Sequence, residues 1–339
     1  MDYEIFELGD VTLQSGVTLP NAFLAYKTYG KLNKKKDNVI IYPTAFGDQH
    51  VQNEWLIGKG MALDPQKYFI IVPNLLGNGL SSSPSNTPPP FDRANFPQVT
   101  IYDNVKLQYR LVTEKFGIQK IALVVGWSMG GIQSFQWGAS YPDMVERIAP
   151  FCGGAKTWPQ TYVVLDGMKA ALMAAVGFDS SKINKLTSAE MRAVGRVYAG
   201  WGLSQAFYRE ELYREMGYDS LEGFVAGVWE DSFMNMDPHN VLAMLWTGQF
   251  ADIGADPAYN GDFDEALKSI KALACIMPGS TDLFCTADEN KYEAMLIPNA
   301  VFNPIESIWG HFAGRGINNV DNKFIDDNLK RLLALSTNE

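Results

Sequence analysis

The chain has 339 residues, 47% of them hydrophobic, and carries 38 acidic against 28 basic side chains, a formal net charge of -10. That length suits one large α/β domain with an insertion, and the acidic field repels nucleic acid and anionic membrane surfaces, with no basic stripe to oppose it. No segment approaches the ~18 apolar residues of a membrane span, and the start has neither a basic nor an apolar run, so a soluble, unexported, cytoplasmic protein is expected.

In chain order, strand-like runs fall at residues 3–8, 22–28, 39–42, 69–72, 121–125 and 147–151, with two more at 273–277 and 300–303. Helix-length segments lie between them, among them 103–116, 129–140 and 322–335, and this alternation predicts a mainly parallel sheet with helices on both faces. The stretch Ser81 to Pro90 is polar and rich in proline, without strand or helix period, and reads as a surface loop. Residues 156–267 break the rhythm: they are rich in Met, Ala, Trp and Tyr, read helical and offer no clear strand. We take them as a helical cap inserted into a core made of 1–155 and 268–339.

The fifth run ends in Gly126-Trp127-Ser128-Met129-Gly130 and leads directly into a helix-forming stretch. A serine on a sharp strand-to-helix turn is pushed up toward substrate, and the flanking glycines permit a close approach that a Cβ would block. The pentad also arises by chance, so an ordinary turn serine is the duller alternative. A serine hydroxyl needs a base to take its proton and a third group to hold that base. Of three histidines, His311 lies in a glycine-rich loop between the last strand and the last helix, where the order Ser, Asp, His puts the base. His239 follows Asp237-Pro238 and reads as helix punctuation; His50 follows the third strand as a pocket or structural residue. Asp282, directly after the penultimate strand, is the preferred carboxylate, with Asp288 as its rival. Oxyanion donors are expected from the N–H of Met129 and, in the loop after the third strand, that of Ala45. Phe46 beside it is a candidate pocket residue. Cys152, Cys275 and Cys285 have no metal spacing, and no phosphate loop or dinucleotide fingerprint occurs, so no metal and no cofactor are expected.

Several stretches together resemble the homoserine O-acetyltransferase family of the α/β-hydrolase fold. They are Asp64-Pro65-Gln66-Lys67-Tyr68-Phe69-Ile70-Ile71, Asn74-Leu75-Leu76-Gly77, Phe96-Pro97-Gln98-Val99-Thr100-Ile101-Tyr102-Asp103, Tyr141-Pro142-Asp143-Met144-Val145, Ser280-Thr281-Asp282-Leu283-Phe284 and Gly310-His311. The resemblance implies a triad of Ser128, Asp282 and His311, an acyl-enzyme, a helical cap and a homodimer packed through it. The family usually has glycine where Trp127 stands, and after its histidine an aspartate for the amino group of homoserine, where this chain has Phe312. Arg192 aligns with the family's carboxylate-binding arginine and is a candidate pocket residue, but the tyrosine expected seven positions on is Ala199. A zwitterionic acceptor short of such partners loses charge-assisted hydrogen bonds of about 1.5 to 3 kcal/mol each. Trp127 and Phe312 suit a neutral ester instead. The expected function is therefore a serine esterase or acyltransferase for short acyl, chiefly acetyl, esters, its partner a small ester with an acceptor alcohol or acetyl-CoA. The alternatives are the homoserine acetyltransferase reaction itself and a non-catalytic binding protein.

Overall fold

Strands that are apolar on both faces belong in the middle of a covered parallel sheet. The computed structural model, which describes residues 2–179, 182–183 and 188–336, puts the Val- and Ile-rich runs there. One sheet contains β1 (Glu4–Thr12), β2 (Thr18–Tyr29), β3 (Val39–Ile41), β4 (Phe69–Pro73), β5 (Leu123–Trp127), β6 (Arg147–Phe151), β7 (Leu273–Ile276) and β8 (Ala300–Phe302), in the order β1-β2-β4-β3-β5-β6-β7-β8. β1 and β2 pair antiparallel, β2 lies antiparallel to β4, and every other neighbour is parallel. The first two strands run longer than their apolar runs because a tight turn joins them: Gly16, at φ +84°, lets Leu13 and Val17 close it.

Side chains of β5 alternate between two cores. Val124 joins the cluster under α1 (Ile101–Arg110) and α2 (Met129–Ser140), whereas Leu123, Val125 and Trp127 join the cluster that includes Ile325 and Leu329. Helices therefore cover both faces, as the alternation of elements requires. α1 starts at a reciprocal cap in which Thr100 and Asp103 each bind the other's backbone N–H.

Between β6 and β7 come α3 (Pro159–Met173), α4 (Ser188–Gly202), α5 (Gln205–Arg209), α6 (Leu221–Phe224), α7 (Asp231–Met234), α8 (Pro238–Gln249) and α9 (Phe263–Lys268). Residues 180–181 and 184–187 of this stretch lie outside the described residues. α3, α4 and α8 share their own apolar cluster, with Val164, Met168, Leu172, Val194 and Leu245 buried in it, while Phe263, Ala266 and Leu267 of α9 join the sheet core. The chain enters and leaves this layer at one narrow neck: Thr157 N–H donates to Ala251 O at 2.8 Å and Ile253 N–H to Ala155 O at 3.2 Å. The last helices, α10 (Ala287–Leu296) and α11 (Asn319–Ala334), follow β7 and β8.

The Ser81 to Pro90 stretch departs from expectation, because its first half is buried. Ser81 and Ser82 lie under β2, accepting from the N–H groups of Ala25 and Phe23 at 2.9 Å each, and the Ser83 hydroxyl accepts from Gly79 N–H at 2.8 Å. The first two hydroxyls satisfy backbone donors of β2 and the third one of its own loop, a role that polar composition alone does not reveal.

Candidate active site

β3 sits where the strand order reverses, since β4, the next strand in the chain, lies on one side of it and β5, the strand after that, on the other. Crevices for ligands open at the carboxyl ends of strands at such a point. The loop after β3, residue 128 after β5, Asp282 after β7 and His311 after β8 all belong to that edge. Ser128 has φ 54° and ψ -122°, outside the ordinary regions for an L-residue and the strain expected of a serine on a strand-to-helix elbow. A Cβ on Gly126 would meet the carbonyl of Gly130 at 2.3 Å, and one on Gly130 would meet Pro43 O at 2.6 Å. The elbow is thus wedged against both its own helix and the β3 loop.

His311 is fully buried in a short helical turn, Gly310–Gly314. Its Nε2 lies 2.8 Å from Ser128 Oγ, and its Nδ1 lies 2.8 Å from Asp282 Oδ2. The second oxygen of Asp282 accepts the N–H groups of Phe284 at 2.7 Å and Cys285 at 3.1 Å, so the carboxylate cannot swing. With its proton on Nδ1 facing Asp282, the ring offers a lone pair at Nε2 to the serine hydroxyl. Two further contacts set the histidine loop: Thr281 Oγ1 accepts from Gly310 N–H at 3.2 Å, and the indole N–H of Trp127 donates to His311 O at 2.9 Å. Trp127 also lies against the His311 ring with centroids 5.1 Å apart. It supports the loop and lines a cavity, rather than serving the pocket alone.

Met129 opens α2, so its N–H points along the positive end of a 12-residue helix. Ala45 is held close by, because Thr44 O accepts from Gln133 Nε2 at 3.0 Å and Thr44 Oγ1 accepts from Leu75 N–H at 2.9 Å. Among the described residues, neither Ala45 N–H nor Met129 N–H has a hydrogen-bond partner. Two small cavities border the elbow, one at Ser128 and the other at Trp127. One, of about 30 Å³, is lined by Ser128, Met129, Ile132, Leu165 and Met168. The other, of about 80 Å³, is lined by Trp127, Phe312, Asp48 and Arg315. Phe46 and Tyr198 border both.

Arg192 is not at the site. Its guanidinium binds the buried Glu230 at 2.7 Å, and it lines neither cavity. His50 is a structural residue, between Asp2 at 3.1 Å and Asn74 at 3.4 Å. His239 sits in the first turn of α8 with its N–H on Asp237, and Asp288 is exposed in the first turn of α10. All three cysteines are free and buried; burial pushes the Cys275 thiol up to about 11 and those of Cys152 and Cys285 well above the ordinary range. Among the described residues no group of three or more His, Cys, Asp or Glu has metal-holding geometry.

Sequence reasoning missed one pair. Arg315 grips the buried Asp48 through two contacts, 2.7 and 2.8 Å, and its guanidinium lies 4.8 Å from the Trp127 ring centroid. Asp48 N–H donates to Ala45 O at 3.2 Å, and Arg315 N–H to Phe312 O at 3.0 Å. The pair therefore ties the loop carrying Ala45 to the loop carrying His311, across the residue before Ser128. Burial pushes the Asp48 carboxyl up to about 6, outweighing the guanidinium beside it. The only signal in the sequence was position, three residues after Ala45 and four after His311, and nothing local says that the two charges meet.

Fold and site geometry together define an α/β hydrolase with a strained serine on the strand-to-helix turn after β5, and comparison with known proteins agrees. Residues 38–173 match the family model described as the alpha/beta hydrolase fold. An ethyl acetate hydrolase of Pseudomonas veronii is 36% identical over 96% of this chain and 92% of its own length. The crystal structure of an acetylester hydrolase from Corynebacterium glutamicum superposes with a TM-score of 0.93, at 35% identity over 98% of this chain and 96% of that one. A homoserine O-acetyltransferase of Methanobrevibacter ruminantium is 27% identical over 97% of this chain and 74% of its own. This chain belongs to the esterase-like branch of the homoserine O-acetyltransferase-like family within the α/β-hydrolase fold.

Proposed function

We propose that this protein hydrolyses short-chain acyl esters, acetates foremost, by nucleophilic catalysis at Ser128. Ser128 Oγ attacks the ester carbonyl as His311 Nε2 takes its proton. The imidazolium then gives that proton to the leaving alkoxide, the C–O bond breaks, and the acyl group stays on Ser128. Asp282 orients Nδ1–H and stabilises the charged ring, while Met129 and Ala45 N–H groups hold the oxyanion. Water attacks the acyl-enzyme by the same route in reverse, and an alcohol in its place gives transesterification. The 30 Å³ cavity beside Ser128 and Met129 takes the acyl group. The cavity beside Trp127 and Phe312, on the side of the histidine loop, takes the alcohol, and the helices between the neck residues Thr157 and Ala251 act as a cap over both.

The observation that carries this reading is the buried chain of two 2.8 Å contacts from Ser128 through His311 to Asp282. The named activities of the 35–36% identical relatives support the choice of acetate. The transferase reading is weaker: Phe312 offers no charge to an amino group, Arg192 is occupied by Glu230, and Asp48 and Arg315 satisfy each other. The test is hydrolysis of ethyl acetate followed by acid release, in wild type and Ser128→Ala. We expect the rate to fall by at least about 10⁴-fold in the variant. Equal rates refute the reading, and release of thiol from acetyl-CoA that depends on L-homoserine would replace it with the transferase.

A further inference from the structure

Beyond the acyl cavity lies a second, much larger space. A groove of about 900 Å³ opens on the outer surface, lined by Trp158, Asp262, Phe263, Asp264, Glu289 and Tyr292 among others. Among the described residues a single residue borders both spaces, Lys156. Its position is fixed at both ends. The backbone pairs with Asp252 at the neck through which the chain enters the helical layer. The ammonium is held between two aromatic rings, 4.3 Å from the centroid of Trp158 and 3.9 Å from that of Phe263. Those rings stand at 90° to each other, so the charge sits in the corner that their two faces make. A lysine held this way lays its four-carbon stem along the wall while the charge stays at the wet end.

We propose that Lys156 is the plug that sets the acyl-chain limit, its stem closing the far end of the acyl cavity against the outer groove. The proposal rests on the esterase reading above. With the plug in place the cavity offers about 30 Å³, room for two or three water-sized groups at the ~10–15 Å³ that each requires. An acetyl group fits, and a chain of six carbons has nowhere to go. Shortening residue 156 joins the cavity to the groove, whose rings at Trp158 and Phe263, freed of the ammonium, are apolar surface for the distal methylenes. Lys156 is partly exposed, so its truncation leaves no buried void to unfold the chain.

The experiment measures kcat/KM for p-nitrophenyl acetate, butyrate, hexanoate and octanoate in wild type, Lys156→Ala and Lys156→Met. The readout is each variant's ratio of hexanoate to acetate. One methylene admitted or refused by an apolar pocket is worth about 10-fold or more, so Lys156→Ala should raise the ratio at least about 10-fold. Lys156→Met keeps a stem of similar length without the charge and should leave the ratio near that of wild type. An unchanged ratio in a Lys156→Ala enzyme that still hydrolyses acetate overturns the plug and leaves the esterase reading standing. A ratio raised equally in both variants also overturns it, because charge and not the stem would then be the barrier. Wild type inactive on every ester is the distinct result that defeats the reading beneath.

Discussion

Glu293 is a buried carboxyl, and substituting it gives a prediction with a definite size. Its side chain is completely buried on α10, where Oε1 accepts from Ala155 N–H at 3.0 Å and the Trp158 indole at 2.9 Å, and Oε2 from Asn290 Nδ2 at 2.9 Å. Burial pushes its carboxyl up to about 8, against the help of those donors. The folded state therefore binds this proton more tightly than the unfolded chain does. Stability from this group is complete below the unfolded value of 4.5 and drains away as pH rises toward 8. The gap of about 3.5 units corresponds to roughly 5 kcal/mol at 1.36 kcal/mol per unit. Glu293→Gln removes the ionisation but keeps the shape. It also has a partner waiting: Asn290 Oδ1 is buried without a hydrogen bond, so a flip of that amide turns an acceptor toward the new NH₂ group. In thermal unfolding across pH 4.5 to 8, wild type should lose up to about 7 °C relative to the variant, taking ~2.1 cal/mol/K of unfolding entropy per residue. Two parallel curves would refute the argument, because they would mean that Glu293 ionises no differently folded and unfolded.

Three other substitutions test the site's scaffolding. Arg315→Ala leaves Asp48 buried without its partner, a change worth about 3 to 5 kcal/mol. It should lower kcat on acetate more than it raises KM, since the Ala45 and His311 loops lose their tie, and Asp48→Asn in the same background should recover stability without recovering kcat. Recovery of both would mean that the pair only stabilises the fold. Gly130→Ala drives a Cβ to within 2.6 Å of Pro43 O, so the elbow or the oxyanion loop must move. Acetate hydrolysis should be lost before the folded state is, as followed by activity and circular dichroism on the same sample, and full activity would contradict the close packing.

The sheet was legible because strand and helix periods are local. All eight strand runs appear as strands, and the grouping of Ser128, His311 and Asp282 was legible because the elbow motif, a loop histidine and a strand-end aspartate each carry a positional signature. What escaped was long-range. The Asp48 and Arg315 pair links residues 267 positions apart, and Ser81 and Ser82 accept from backbone donors of β2 more than 55 residues away. Arg192 misled because alignment says where a residue sits along α4 but not that Glu230, 38 positions on, claims it. Lys156 gave no signal at all, since a lone lysine gains meaning only from the two spaces it divides.

Ester cleavage at Ser128 requires that His311 withdraw its proton. The most direct measurement is the rate at which a fluorophosphonate modifies the protein, with the modified residue mapped by peptide mass, in wild type and in His311→Ala. Rapid modification of Ser128 in wild type, slowed by at least about 10³-fold in the variant, is the predicted outcome. Equal rates in the two proteins, or a label on some other residue, would contradict it.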